Sequence, residues 1–206
     1  MTNLMVTTFL SLDGVVQAPG GPDEDRGGGF DHGGWGVPYI DDTVIARMTD
    51  LLGTATALLV GRRTYETFAA TWPLADDPIA AMMNGLPKYV ASRTLADVTW
   101  ANSTLLTGDV ATAVGKLKAE AGAQIQVHGS GTLVQALLRA DLVDEFHLVT
   151  IPVLLGRGKR LFGDGTIPAN LRLVAAQALP TGAVMARYAR AGDLEYGAMG
   201  PETGNW

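Results

Sequence analysis

Two periods of apolar residues alternate along the chain, and the switch between them predicts its elements. Residues 4–10 (LMVTTFL) form an apolar run of strand length, and 39–52 set Val44, Ile45, Met48, Leu51 and Leu52 on one helical face before Gly53. The unit repeats with strand 57–60 and helix 64–70, then strand 88–91 and a helix after Asp109 that presents Val110, Val114, Leu117 and Ala121. Strand 125–128 then leads into a helix from Thr132 to about Ala140. Met48, Met82 and Met83 fit helix faces and need no reason beyond packing. Such alternation implies an α/β fold, with a mostly parallel central sheet flanked by helices. The end of the chain reads differently. Segments 145–155, 170–179 and 183–191 are strand-like, with a turn at Pro180-Thr181-Gly182, so an antiparallel hairpin is expected to close one sheet edge. No linker divides residues 1–191, which are expected to form one domain followed by a frayed tail over 192–206.

Composition narrows what this domain can do. A 206-residue chain that is 47% hydrophobic and 17% charged can bury one sizeable core. A net charge of −6 with 15 lysines and arginines argues against a nucleic-acid partner, because phosphate-backbone binding needs a positive face. The absence of cysteine excludes disulfides and thiolate catalysis, and three histidines (His32, His128, His147) give no basis for a dedicated metal site. His128 and His147 lie in strand patterns, where a satisfied core or edge histidine is commoner than a catalytic one. With no leader pattern and no apolar run near the roughly 20 residues that span a bilayer, a cytoplasmic protein is expected.

Four turns stand out at strand ends. In GRRTYE, Gly61 lets the chain leave its strand, Thr64 is expected to cap the next helix, and Arg62 and Arg63 sit where a bound phosphate would meet both N–H groups and guanidinium. In HGSGTLVQ, Gly129 and Gly131 allow close backbone approach, and Thr132 and Gln135 have the spacing of a capping box. Asp13-Gly14 and Ser92-Arg93 end two further strands. In an open parallel sheet such turns are expected to line one crevice. A Rossmann dinucleotide fold is not expected, since SLDGVV stands where its G-x-G-x-x-G would be. Residues 17–37 (QAPGGPDEDRGGGFDHGGWGV) are too rich in Gly, Pro and Asp for a regular element. They read as a surface insertion or as a substrate lid, the latter favoured by Phe30, His32 and Trp35, which are costly to leave in solvent.

GRRTYETF (61–68) resembles the G-R-x-T-x-E segment of dihydrofolate reductases, and SLDG (11–14) with GSG (129–131) resembles the reductase domain of the bacterial riboflavin-biosynthesis deaminase–reductase. PVLLGRGKRLF (152–162) and GGF…GGW (28–30, 33–35) resemble the stand-alone members of that superfamily. This resemblance implies a dihydrofolate reductase-like fold, a homodimer and a small-molecule substrate. It further implies NADPH held by Asp13 and Gly14, by Gly61, Arg62, Arg63 and Thr64, by Ser92 and Arg93, and by Gly129, Ser130, Gly131 and Thr132. The zinc-binding deaminase half has no counterpart here. Asp41 and Asp42 are the nearest candidates for the carboxylate that helps protonate a pterin, although either is also an ordinary helix N-cap. Trp35 is expected beside the nicotinamide or the substrate ring. Lys159 and Arg160, with Arg157, either hold a substrate phosphate or solvate a tight loop. A ribosylamino-pyrimidinone phosphate is the first substrate to consider, then a pterin or folate, then an unrelated carbonyl or imine. A nucleotide-binding module without catalysis stays open beside them.

Overall fold

The first apolar run becomes β1 (Asn3–Ser11), an inner strand of the sheet, in a computed structural model that describes residues 2–120 and 124–200. In chain order there follow α1 (Asp42–Leu52), β2 (Ala57–Gly61), α2 (Arg62–Thr71), α3 (Pro78–Gly85), β3 (Lys88–Ala91) and β4 (Ser103–Leu106). Then come α4 (Val110–Ala119), β5 (Gln124–Val127), α5 (Gly131–Arg139), β6 (Glu145–Ile151), β7 (Leu171–Ala178) and β8 (Val184–Arg190). The strands form one sheet in the order β4-β3-β2-β5-β1-β6-β8-β7. All neighbours from β4 to β6 are parallel, and β8 and β7 close the far edge antiparallel, as the alternation and the final hairpin predict.

Several boundaries move for local reasons. The helix predicted over 39–52 starts at Asp42, because Val37–Tyr39 forms a separate 3₁₀ turn with Pro38 inside it. The helix predicted from Thr64 begins at Arg62, and the one predicted from Thr132 begins at Gly131. The strand predicted over 145–155 stops at Ile151, where Pro152 brings no N–H to a ladder. Met82 and Met83 do fall on a helix, α3, which starts at Pro78 behind an Asp77 cap, and the four-residue edge strand β4 is an addition to the expected elements. Ala121, placed by periodicity on α4, lies outside the described residues.

Strand pleating sorts the core into layers. Leu4, Val6, Leu59 and Val127 point to one face and pack on Val114 of α4 and Leu137 of α5. Leu58, Val60 and Val90 point to the other and pack on Leu52, Tyr65 and Met83 of α1, α2 and α3. Each such burial is worth roughly 1.5–3 kcal/mol. β2 and β5 are adjacent, yet α2 leaves β2 toward one face and α5 leaves β5 toward the other. That divergence opens a crevice beyond the carboxyl ends of the two strands. Among the described residues no helix is long and apolar enough to cross a membrane, and no group of acidic or histidine side chains could hold a metal ion.

Candidate functional site

Helix caps distinguish this crevice from the rest of the surface. α1, α3 and α4 each start behind an aspartate whose carboxylate accepts a first-turn N–H: Asp41 from Val44 N at 2.9 Å, Asp77 from Ala80 N at 2.9 Å and Asp109 from Thr112 N at 2.8 Å. α2 and α5 start behind Gly61 and Ser130 with no side-chain cap. Their first-turn N–H groups face the crevice with the positive ends of the helix dipoles behind them, which is the chemistry of an anion site. The two starts touch. Gly61 N donates to Gly129 O at 2.9 Å, and a Cβ at Gly61 would fall 2.6 Å from Ser130 Oγ, so a side chain there would displace Ser130 at the start of α5.

This corrects two capping expectations. Thr64 lies inside α2 and caps nothing, since the helix begins two residues earlier. Thr132 and Gln135 form no capping box, because the Gln135 side chain donates instead to Leu161 O in the 156–161 turn.

Three of the four turns converge. Gly61 to Thr64, Ser92 with Arg93, and Gly129 to Thr132 all line one crevice of about 1440 Å³. Ser92 organises its own turn by accepting from Thr94 N and Leu95 N at 3.1 and 2.9 Å. The turn after β4, from Leu106 to Val110, joins the wall although no expectation fell on it. Asp13 and Gly14, expected at the cofactor, are outside that lining. The Asp13 carboxylate accepts from Ser11 Oγ at 2.6 Å and from Gly156 N and Leu155 N at 2.8 and 3.2 Å. The Ser11 bond and these N–H groups pull its pKa down to about 2 against the cost of burial. The turn therefore clamps the 155–161 segment.

The 17–37 loop is a packed structure with two halves. Val16 to Asp25 forms part of the crevice wall, which is where a lid belongs. Phe30 and Trp35 go elsewhere: they enter a third apolar cluster with Val15, Val44, Ile151 and Met185, and Trp35 is 9% exposed. The Trp35 indole N–H donates to Gln17 O at 2.8 Å. Trp35 is thus not beside the crevice as expected; it anchors the loop, because its ring finds apolar cover against β6 and β8 and its polar atom finds a carbonyl. His32 stays exposed beside Asp31 at 3.4 Å.

Asp25 ties the loop to α2 and to the turn that carries Lys159. Its carboxylate accepts from Arg63 Nη1, from Lys159 Nζ and from Gly27 N at 2.9 Å. Burial acts to raise the Asp25 pKa, but the Lys159, Gly27 and Arg63 interactions outweigh it and hold the group below its ordinary range. Lys159 reaches the crevice; Arg160 does not, and lies 3.4 Å from Asp13. Arg157 pairs with Asp31 at 2.6 Å. Arg62 is bonded along its helix to Glu66 at 3.0 Å, while Arg93 meets no carboxylate among the described residues.

The substrate-side wall is apolar. α1 turns Val44, Ile45, Met48 and Leu52 toward the crevice. Asp41 is spent on the helix cap and Asp42 is exposed in the first turn, so neither lines the crevice. His128, expected as a satisfied core or edge histidine, instead lines the crevice just after β5. Residues 125–128 alternate faces, which was a sufficient signal: Ile125 and Val127 enter the α4–α5 core, so Gln126 and His128 face α1 to α3. Burial pushes the His128 pKa down to about 4. His147, on β6, is absent from the lining, and its pKa is lowered mainly by burial.

Comparison with known proteins bears on the family and the fold. A family model described as the RibD C-terminal domain matches residues 2–185. The uncharacterized protein YyaP of Bacillus subtilis (strain 168) is 32% identical over 146 residues, which is 68% of this chain and 77% of that protein. YwjB of the same organism is 28% identical over 127 residues, 61% of this chain and 68% of that one. Two solved structures share the fold. One, described as a riboflavin biosynthesis protein of Shewanella sp. PV-4, superposes with a TM-score of 0.67 at 22% identity, covering 92% of this chain and 99% of its own. The other, a pyrimidine reductase-like protein of Corynebacterium diphtheriae, gives 0.66 at 16% identity, with 93% and 92% covered.

Proposed function

This chain belongs to the RibD C-terminal domain family, and from that premise we propose that it is an NADPH-dependent reductase of a small ribosylamino-pyrimidine-type heterocycle. The observation that carries the reading is the pair of uncapped helix starts. Among the five α-helices of the described residues, α2 and α5 alone lack a side-chain cap, and they open side by side into the one large crevice. Their free N–H groups fit a pyrophosphate, and the close approach of Gly61 to Ser130 leaves the backbone bare where such a group would lie. Arg93 and Arg62, both in the crevice lining, are the candidates for a 2′-phosphate. Bound there, NADPH supplies a hydride for an electron-poor C=N or C=O carbon. The chain's own part is to align the two reactants, and the Val16–Asp25 stretch excludes water from one side.

The apolar α1 wall supports a pyrimidine over a pterin. A pterin needs a buried carboxylate to recognise its ring, and α1 turns Val44, Ile45, Met48 and Leu52 toward the crevice instead. Lys159 is the candidate for a substrate phosphate, once Asp25 gives it up. A homodimer in the cytoplasm belongs to the same reading, and sedimentation of the purified chain checks the first part. The test of function follows absorbance of the reduced nicotinamide with the ribosylamino-pyrimidinone phosphate and, separately, with dihydrofolate. The pyrimidine is expected to have the higher kcat/KM. Faster dihydrofolate turnover would reverse the substrate order, and tight NADPH binding without turnover of either would make the chain a nucleotide-binding module.

A further inference from the structure

His128 lines the crevice. It directly precedes the Gly129–Ser130 turn that starts α5, and its ring packs edge-on against Phe68 of α2 with centroids 6.2 Å apart. Its environment sets which nitrogen carries the proton. Gln126, fully buried on the same strand face, donates from Nε2 to Leu51 O on α1 at 2.7 Å. That bond fixes the amide, because a carbonyl can only accept; the Gln126 oxygen is then the end presented to the ring, at 3.2 Å from His128 Nε2. An amide oxygen also only accepts, so Nε2 is the protonated nitrogen. The other nitrogen, Nδ1, meets no protein donor among the described residues, although His128 lines the crevice. Burial disfavours the charged ring, which would turn that acceptor into a second donor.

We propose that His128 Nδ1 is the acceptor that recognises a ring N–H of the substrate, held in register by the Leu51–Gln126–His128 relay. This inference rests on the reductase reading and adds what the substrate must present: a planar heterocycle with an N–H directed at β5, lying between Phe68 and the apolar face of α1. Gln126 is a positioning residue, and His128 a recognition residue. No proton is transferred in this assignment. A lost acceptor for a buried donor costs substrate binding far more than it costs cofactor binding, since the helix starts that hold phosphate are untouched.

The tautomer is read first, by long-range proton–nitrogen spectra of protein labelled with ¹⁵N-histidine at pH 7, with the His128 signal identified by its loss in His128→Gln. A neutral ring protonated at Nε2 is expected, unchanged by NADPH and shifted at Nδ1 when the ribosylamino-pyrimidinone phosphate is added to the NADPH complex. A charged ring, an Nδ1–H tautomer, or an Nδ1 signal that ignores saturating substrate overturns the inference. Kinetics follow. His128→Leu should raise KM for the pyrimidine tenfold or more while NADPH affinity stays within twofold, His128→Gln should recover part of the loss, and Gln126→Met should lose the tautomer preference along with part of kcat/KM. Wild-type protein that binds NADPH and reduces the pyrimidine, beside an equally active His128→Leu, refutes His128 alone. Wild type that reduces neither compound refutes the reading beneath it, and the inference with it.

Discussion

Arg62 and Arg63 enter the crevice already engaged, the first with Glu66 and the second with Asp25, whereas Arg93 meets no carboxylate among the described residues. A guanidinium with no bond to break gives up least when a phosphate arrives, so Arg93→Ala should cost NADPH affinity about tenfold or more and NADH little, on charged hydrogen bonds of roughly 1.5–3 kcal/mol. Titrating both cofactors against wild type, Arg93→Ala and Arg62→Ala checks the ranking; equal wild-type affinities would remove the 2′-phosphate from the site. Tryptophans separate anchor from wall in the same way. Trp72 lines the crevice and Trp35 does not, so quenching by NADPH should survive in Trp35→Phe and fade in Trp72→Phe. Asp13 bears on pH. Its folded pKa of about 2 lies below the unfolded value near 3.9, so its contribution to stability is complete above about pH 4 and is lost as pH falls toward 2. Asp13→Asn should therefore melt lower than wild type at pH 7 and converge with it near pH 2, read by thermal unfolding across that range.

At the scale of elements, the starts of α2 and α5 act as one unit because β2 and β5 are neighbours. Gly61→Ala tests that unit: the added methyl would meet Ser130 Oγ at 2.6 Å and its N at 3.1 Å, so the hydroxyl must turn away and the Ser130 backbone must give at the start of α5. NADPH affinity should fall about tenfold or more by calorimetry, on a shift of roughly 1.4 kcal/mol per decade. Leu137→Ala, on the buried face of the same α5, should instead lower stability by roughly 2–5 kcal/mol in a denaturant melt. One substitution at the start of α2 and one on the buried face of α5 would then separate binding from folding. Periodicity placed α1, α4 and α5 because each carries a clear apolar stripe beside a strand. It put Met82 and Met83 on a helix but set no bounds for α3, an eight-residue helix whose buried positions are Ala80 and Met83, and it gave no sign of β4, whose four residues have no fully buried position. Short elements hold too few periods to announce themselves.

Across the whole molecule, a ligand that binds only the folded chain must stabilise all of it. NADPH at a hundred times its dissociation constant should add about 2.7 kcal/mol, which for a chain of this size raises Tm by about 5–10 °C. No shift at that excess would argue against the crevice as the cofactor site. The architecture behind that crevice was legible in the chain because it depends on local repetition: strands next to helices demand a parallel sheet, and Gly61 and Gly129 mark turns that backbone geometry reserves for small residues. The resemblance added the order of the motifs. Other features depend on contacts between residues far apart in sequence, and those had to wait for the fold. Trp35 anchors the loop because β6 and β8 bring Ile151 and Met185 beneath it, more than a hundred positions away. Lys159 and Arg63 share one carboxylate because the loop carries Asp25 between them. His128 looked like any strand histidine until Gln126, α1 and α2 gave its two nitrogens different neighbours. Hydrophobic period and turn chemistry are properties of a few successive residues and survive in a one-dimensional reading; the partner of a charge and the tautomer of a ring are set by neighbours that only the folded chain brings together.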